Sequence, residues 1–136
     1  MQKYREKKIS PEKYLKNADD FCVRTIRMMK SEKICPKSAR WLGAQELVNV
    51  VQKFHTDLHR ANNIKVTNRQ EKELRHALLM NAYSLIRTMG EKFVFNAMIY
   101  GIDEDSLVKW LDNKAEIQAW ISTKIRAEEK RYENIN

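Results

Sequence analysis

Two histidines with metal-ligand spacing are the first residues that could do chemistry in this chain. His55 and His59 lie four residues apart in a segment of helical periodicity, which places both imidazoles on one face of a helix. No Glu-x-x-His pattern and no nearby cysteine supplies a further ligand. We therefore predict no bound metal or cofactor. His55 is expected to border the core, and His59 and His76 are expected to be polar residues at its edge.

Paired carboxylates are the second candidates for chemistry. Asp19 with Asp20, Glu128 with Glu129, and the acids around Asp103 are adjacent in sequence. Adjacent residues on a helix point in different directions, so solvated charges and helix caps explain them better than acid and base catalysis does. The sequence has no glycine-rich phosphate loop and no nucleophile with a local signature. We predict that the protein is not an enzyme.

Cysteine usage and hydropathy indicate the compartment. Cys22 and Cys35, the two cysteines, lie thirteen residues apart and form neither a ligand-like pair nor a disulfide framework. The first ten residues carry charge without an apolar run behind them, and no window has the length and apolarity of a membrane span. These features predict a soluble, cytoplasmic protein.

Charge is the functional clue in the composition. The formal net charge is +8, and the excess lies in the first two thirds of the chain. Basic residues crowd the two ends of the helical segment that follows Pro36: Lys37 and Arg40 lie at its start, and Arg60, Lys65 and Arg69 lie at its finish. A net positive field attracts polyanions and supplies the sequence-independent part of nucleic-acid affinity.

Helical periodicity covers most of the chain and would position these groups. Apolar residues recur at steps of three and four in four segments, which predict helices over about 11–33, 38–65, 67–90 and 103–131. Only three glycines and two prolines occur, which favours helices with short connections over a sheet. We predict an all-α fold: one up-down-up-down four-helix bundle spanning residues 1–136.

Cap-type residues set the predicted helix boundaries. Ser10 precedes a first-turn proline, and Ser38 follows Pro36 at the start of the second helix, which is expected to continue without a break. Thr67 with Gln70 has the spacing of a capping box at the start of the third helix.

Residues 91–101 are apolar on all sides, and the pattern leaves three structures open for them. The segment extends the third helix beyond Gly90, forms a short helix across the end of the bundle, or lies in a subunit contact. Phe93, Phe95, Met98 and Tyr100 need a covering surface in each case, which favours a homo-oligomer.

A set of short motifs gives the chain a family resemblance over roughly residues 15 to 127. These motifs are Pro36 with Lys37, Ala61 with Asn62, Arg69, and Trp120. In this order they resemble a family of small bacterial four-helix-bundle proteins. Its two branches are the accessory variability determinant (Avd) protein of diversity-generating retroelements, which occur in bacteria and phages, and the protein encoded in intervening sequences of 23S ribosomal RNA.

The resemblance to the retroelement branch implies a noncatalytic accessory protein. Such a protein binds nucleic acid and a reverse transcriptase and supports mutagenic cDNA synthesis. The family also implies a homopentameric ring around a basic channel. In that setting the expected phosphate contacts, made by charge and without base readout, are Lys37, Arg40, Arg60, Lys65, Arg69 and Arg75.

Two other functions remain open at the level of sequence. One is an RNA-associated bundle of the intervening-sequence branch, which needs no polymerase partner. The other is an interaction module whose basic face meets an acidic protein. A reverse transcriptase gene beside this gene would select the retroelement function, and a position within a ribosomal RNA insertion would select the intervening-sequence function.

Overall fold

The computed structural model describes residues 11–136. Its elements are α1 (Pro11–Lys30), a 3-10 helix (Lys37–Leu42), α2 (Ala44–Asn63), α3 (Arg69–Tyr100) and α4 (Glu104–Arg131). The described part of the chain contains helices and connections but no strand, which confirms the predicted all-α class. The predicted cap at Ser10 lies outside the described residues. No helix within 11–136 has the length and apolarity that crossing a membrane requires.

The predicted second helix is two elements, so the prediction of an unbroken helix from Ser38 is wrong. The 3-10 helix ends at Leu42, and α2 begins only after Gly43. The tip of α3 causes the break, because the Tyr100 hydroxyl donates to the Ala39 carbonyl (2.7 Å) and accepts from the Ala44 amide (3.2 Å). A Cβ on the buried Gly43 would lie 3.0 Å from Asn96 Oδ1, closer than nine in ten ordinary contacts.

The third helix starts and ends elsewhere than the sequence indicates. Its cap is Asn68, whose side chain accepts from the Glu71 amide at 2.9 Å, so the predicted box of Thr67 with Gln70 is wrong. The Glu71 carboxylate reaches back to the Thr67 amide at 2.8 Å, so a reciprocal cap forms one residue further along the chain. At its other end, α3 runs through Gly90 to Tyr100, so residues 91–100 extend the third helix and do not form a separate short helix. A subunit contact through this segment stays a prediction.

Aromatic contacts join α1 and α3 to α4. The Phe93 ring stacks on Trp110, with centroids 3.9 Å apart and planes 5° apart, and Phe21 packs against the same indole. The Trp110 Nε1 donates to the buried Thr25 hydroxyl at 2.8 Å, which satisfies both groups. Nearer the start of α1, Tyr14 stacks on Trp120. The core thus covers Phe93 of the apolar segment.

Side-chain pairs show which helix ends meet. Arg75, near the start of α3, bonds Glu128, near the end of α4. Asp19, in the first half of α1, contacts His59, near the end of α2. One end of the molecule therefore holds the start of α1, the end of α2, the start of α3 and the end of α4. The 3-10 helix and the end of α1 lie at the opposite end.

Candidate nucleic-acid interface

Arg40, one of the predicted phosphate contacts, has a structural task in the turn between α1 and the 3-10 helix. Its Nε donates to the Cys35 carbonyl at 3.0 Å, and its Nη2 donates to the Lys30 carbonyl at 2.7 Å. Its Nη2 also reaches the Glu32 carboxylate at 3.2 Å, and only 24% of the side chain is exposed. Arg40 thus satisfies carbonyls at and beyond the end of α1, which is a common task for a cation in that position.

Arg75 also forms hydrogen bonds within the protein. Its guanidinium forms a two-pronged ion pair with Glu128, at 2.6 Å from Nε and 2.7 Å from Nη2. The remaining nitrogen, Nη1, donates to the carbonyls of Ala61 (2.9 Å) and Ile64 (2.8 Å), which join α3 to the end of α2. Only 11% of the Arg75 side chain is exposed, and four of its five N–H groups have partners within the protein.

Arg75 and Glu128 each stabilise the charged form of the other. Hydrogen bonds to Glu128 raise the pKa of the Arg75 guanidinium and outweigh the opposing effect of burial. Burial raises the pKa of Glu128, but the hydrogen bond from Arg75 and the charge of Lys124 outweigh it and hold that pKa below its ordinary value. Both groups are therefore ionised at neutral pH.

The other four predicted contacts are exposed. Lys37, Arg60 and Lys65 form no ion pair within residues 11–136, and Arg69 pairs with Glu73 across one exposed turn at 3.4 Å. Lys37 precedes α2 and Arg60 lies in its last turn, so a helix of about 30 Å separates them. The six predicted residues do not form one site.

A group of five exposed cations lies where α1 turns into the 3-10 helix. We call this group the basic corner; it consists of Arg24, Arg27, Lys30, Lys33 and Lys37. None of these side chains meets a carboxylate of the described residues in an ion pair. The one acid within the same stretch, Glu32, is held by Arg40 and by the Lys37 amide.

Sequence reasoning missed four residues of the basic corner, although a signal for three of them was present. Arg24, Arg27 and Lys30 follow each other at steps of three, which places them along one side of a helix. In the structure Arg24 and Arg27 line a polar groove of about 660 Å³ that α1 forms with Asn113 and Glu116 of α4.

The histidines lie in two places. His55 and His59 of α2 both approach Asp19 of α1, and His76 of α3 meets Glu129 of α4 at 2.9 Å. The exposed fractions of their side chains are 46% for His55, 33% for His59 and 43% for His76, so all three lie at the edge of the core. The α2 pair obtains from α1 a third ligand-type group that its sequence neighbourhood lacks.

The remaining reactive groups have structural tasks. Asp103 caps α4 by accepting from the Ser106 amide at 3.0 Å, which confirms its interpretation as a cap, and the Ser106 bonds lower its pKa. Asp20 pairs with Lys16. The thiols of Cys22 and Cys35 are both buried, and burial raises the pKa of Cys22 to about 12, so it stays protonated and is a poor nucleophile.

Comparisons with known proteins give no family to which the chain can be assigned: no family model, no curated protein and no solved structure matches it.

Proposed function

We propose that this protein is a noncatalytic basic protein that binds the phosphate backbone of nucleic acid through the basic corner. The observation that supports it is a group of five exposed cations, none of which pairs with a carboxylate of the described residues. Of the nearby acids, Glu32 is engaged by Arg40 and Asp20 by Lys16, while Glu116 lines the groove opposite Arg24 and Arg27 without an ion pair to either. Phosphate contacts of this kind position a strand without selecting a sequence.

The rigidity of the corner supports the proposal. Arg40 ties the carbonyls of Lys30 and Cys35 together, and the Lys37 amide bonds Glu32. Lys30, Lys33 and Lys37 therefore extend from a fixed turn and not from a mobile loop. Less conformational entropy is lost when charges on a fixed backbone bind a polyanion.

The partner and assembly rest on the family resemblance. We propose that the helices form an up-down-up-down four-helix bundle, that the chain assembles as a homo-oligomer, a pentamer by resemblance, and that it serves a reverse transcriptase in a diversity-generating retroelement. Exposed apolar side chains near the basic corner support assembly: Phe95 is 56% and Met98 77% exposed at the end of α3, and Trp41 is 77% exposed in the 3-10 helix. Co-purification from the native host, with and without nuclease, identifies the protein partner and the nucleic acid together.

Matched double variants test the nucleic-acid proposal. Lys33→Gln with Lys37→Gln removes two charges from the corner. Lys65→Gln with Lys130→Gln removes two exposed charges at the opposite end of the molecule, where neither side chain forms an ion pair within residues 11–136. Fluorescence anisotropy with labelled RNA and DNA strands should show weaker binding for the corner variant alone. An equal loss in both variants would mean that net charge alone acts, and it would contradict a site at the corner. Binding of an acidic protein without binding of RNA or DNA would instead select the interaction-module alternative.

A further inference from the structure

Three ligand atoms from two helices converge on the side of the molecule where α1 packs against α2. Asp19 Oδ1 lies 3.0 Å from His55 Nε2 and 2.7 Å from His59 Nε2. The three ligand atoms all lie within 4.8 Å of one another. The two imidazoles lie side by side, with ring centroids 4.4 Å apart.

We propose that Asp19, His55 and His59 form a binding site for a divalent transition-metal ion of the zinc type. Two imidazole nitrogens and one carboxylate oxygen are a ligand set that suits Zn²⁺, and they leave a fourth position for water. The His-x-x-x-His spacing alone is common, but the carboxylate arrives from a different helix and meets both nitrogens with the same oxygen. This convergence separates the cluster from a chance pair of neighbouring histidines.

The distances fit a metal after a small adjustment. Tetrahedral coordination with bonds of about 2.0–2.1 Å places ligand atoms about 3.3 Å apart. The Oδ1 to Nε2 distances of 3.0 and 2.7 Å are those of hydrogen bonds, so the side chains must separate by roughly half an ångström. All three side chains are a third to a half exposed, which leaves them room to rotate and leaves the ion a path from solvent.

A bound ion would join α1 to α2 directly. Asp19 lies in the third turn of α1, and the two histidines lie in the second half of α2. The ion would therefore link Asp19 to His55, 36 residues further along the chain, and to His59, 40 residues further along. Because the site requires both helices in their packed positions, the ion binds the folded chain in preference to the unfolded chain and stabilises it. The inference does not depend on the proposed nucleic-acid function, because no residue of the basic corner takes part.

Thermal unfolding of the untagged chain, stripped with a chelator and then titrated with zinc chloride, tests the site. When free zinc exceeds its dissociation constant a hundredfold, the melting temperature should rise by roughly 5–10 °C. Calorimetric titration should show one ion per chain. His59→Gln and Asp19→Asn should abolish both effects.

The chain contains a matched control for each substitution. His76→Gln removes the third histidine, and Asp20→Asn removes the carboxylate beside Asp19, so both should keep the wild-type response to zinc. Co²⁺ gives a second readout, because tetrahedral coordination should produce visible absorption that His59→Gln loses even if that variant is less stable. Absence of any zinc effect on the wild type would overturn the proposal, and so would an unchanged effect in His59→Gln and Asp19→Asn.

Discussion

Arg69 and Arg75 lie six residues apart at the start of α3, but they differ in burial and in the number of hydrogen bonds that they form. The Arg69 side chain is 73% exposed and shares one weak contact with Glu73, whereas that of Arg75 is 11% exposed and uses all three nitrogens. An ion pair in water contributes little to stability, because solvent and salt screen it. Removing one partner of a buried pair leaves an uncompensated charge and is far more costly.

Neutralising the two arginines should therefore give unequal losses of stability. Arg75→Gln leaves the carbonyls of Ala61 and Ile64 without a donor and should cost about 3 kcal/mol. Arg69→Gln should cost less than about 0.5 kcal/mol. Urea unfolding measures both values, and equal losses would contradict the structural role assigned to Arg75.

The depressed pKa of Glu128 predicts a loss of stability in acid. The pKa of Glu128 is lower in the folded chain than in the unfolded chain. Such a carboxyl group stabilises the fold fully when the pH is above its unfolded pKa, about 4.3, and this contribution is lost as the pH falls through its folded pKa. The free energy of unfolding should be measured at pH 7 and at pH 3. Its decrease between the two should be smaller for Glu128→Gln than for the wild type. Glu133→Gln removes an exposed carboxylate that forms no ion pair within residues 11–136, so this variant should lose as much stability in acid as the wild type. If Glu128→Gln also loses as much as the wild type, the role assigned to Glu128 is wrong.

The roles of these residues could be predicted from sequence only in part. The cap at Asp103 depends on local neighbours, and its prediction is confirmed. The partner of Arg75 lies 53 residues away and that of His59 lies 40 residues away, so both depend on how the helices pack. The sequence shows where each arginine lies, but it does not show which carboxylate will pair with it in the folded chain. This is why the structural bonds of Arg40 and Arg75 could not be predicted from the sequence.

Helix boundaries depend on both local and distant residues. The apolar periodicity predicted the existence of four long helices, because each must bury one stripe. It did not predict the break at Gly43, which follows from the tip of α3 and not from neighbouring residues. It also left residues 91–101 undecided, because Gly90 resembles a helix end although it lies buried within α3 beside Lys114.

The two glycines of α3 should respond oppositely to alanine. Gly101 ends the helix at φ 66°, a left-handed conformation, so Gly101→Ala should cost about 1–2 kcal/mol although no atom is in the way. Gly90→Ala adds a better helix former in mid-helix, and the Cβ meets only the flexible Lys114 side chain, at 3.1 Å. It should leave stability unchanged or raise it by up to about 1 kcal/mol. Thermal unfolding of both variants checks this; a larger loss for Gly90→Ala than for Gly101→Ala would contradict a helix that continues through Gly90.

At the scale of the whole molecule, the protein should not be a monomer. Phe95 and Met98 remain exposed after α3 is complete, and closed homo-oligomers are the usual way to cover such groups. Light scattering at micromolar concentration should give a mass above the 16.2 kDa of one chain. Phe95→Ser with Met98→Ser should reduce it to the chain mass, whereas Met80→Ser with Val108→Ser, two other exposed apolar residues, should not. A wild-type mass of 16.2 kDa would exclude the assembly.

The salt dependence of nucleic-acid binding tests the central claim most directly. If the basic corner neutralises phosphates, the logarithm of affinity should fall linearly with the logarithm of salt concentration, by about 0.7 per contact on single strands and 0.9 on duplex DNA. Lys33→Gln with Lys37→Gln should reduce that slope by the equivalent of about two contacts for every sequence tested, and Lys65→Gln with Lys130→Gln should leave it unchanged. An affinity independent of salt, or a corner variant with the wild-type slope, would contradict the account.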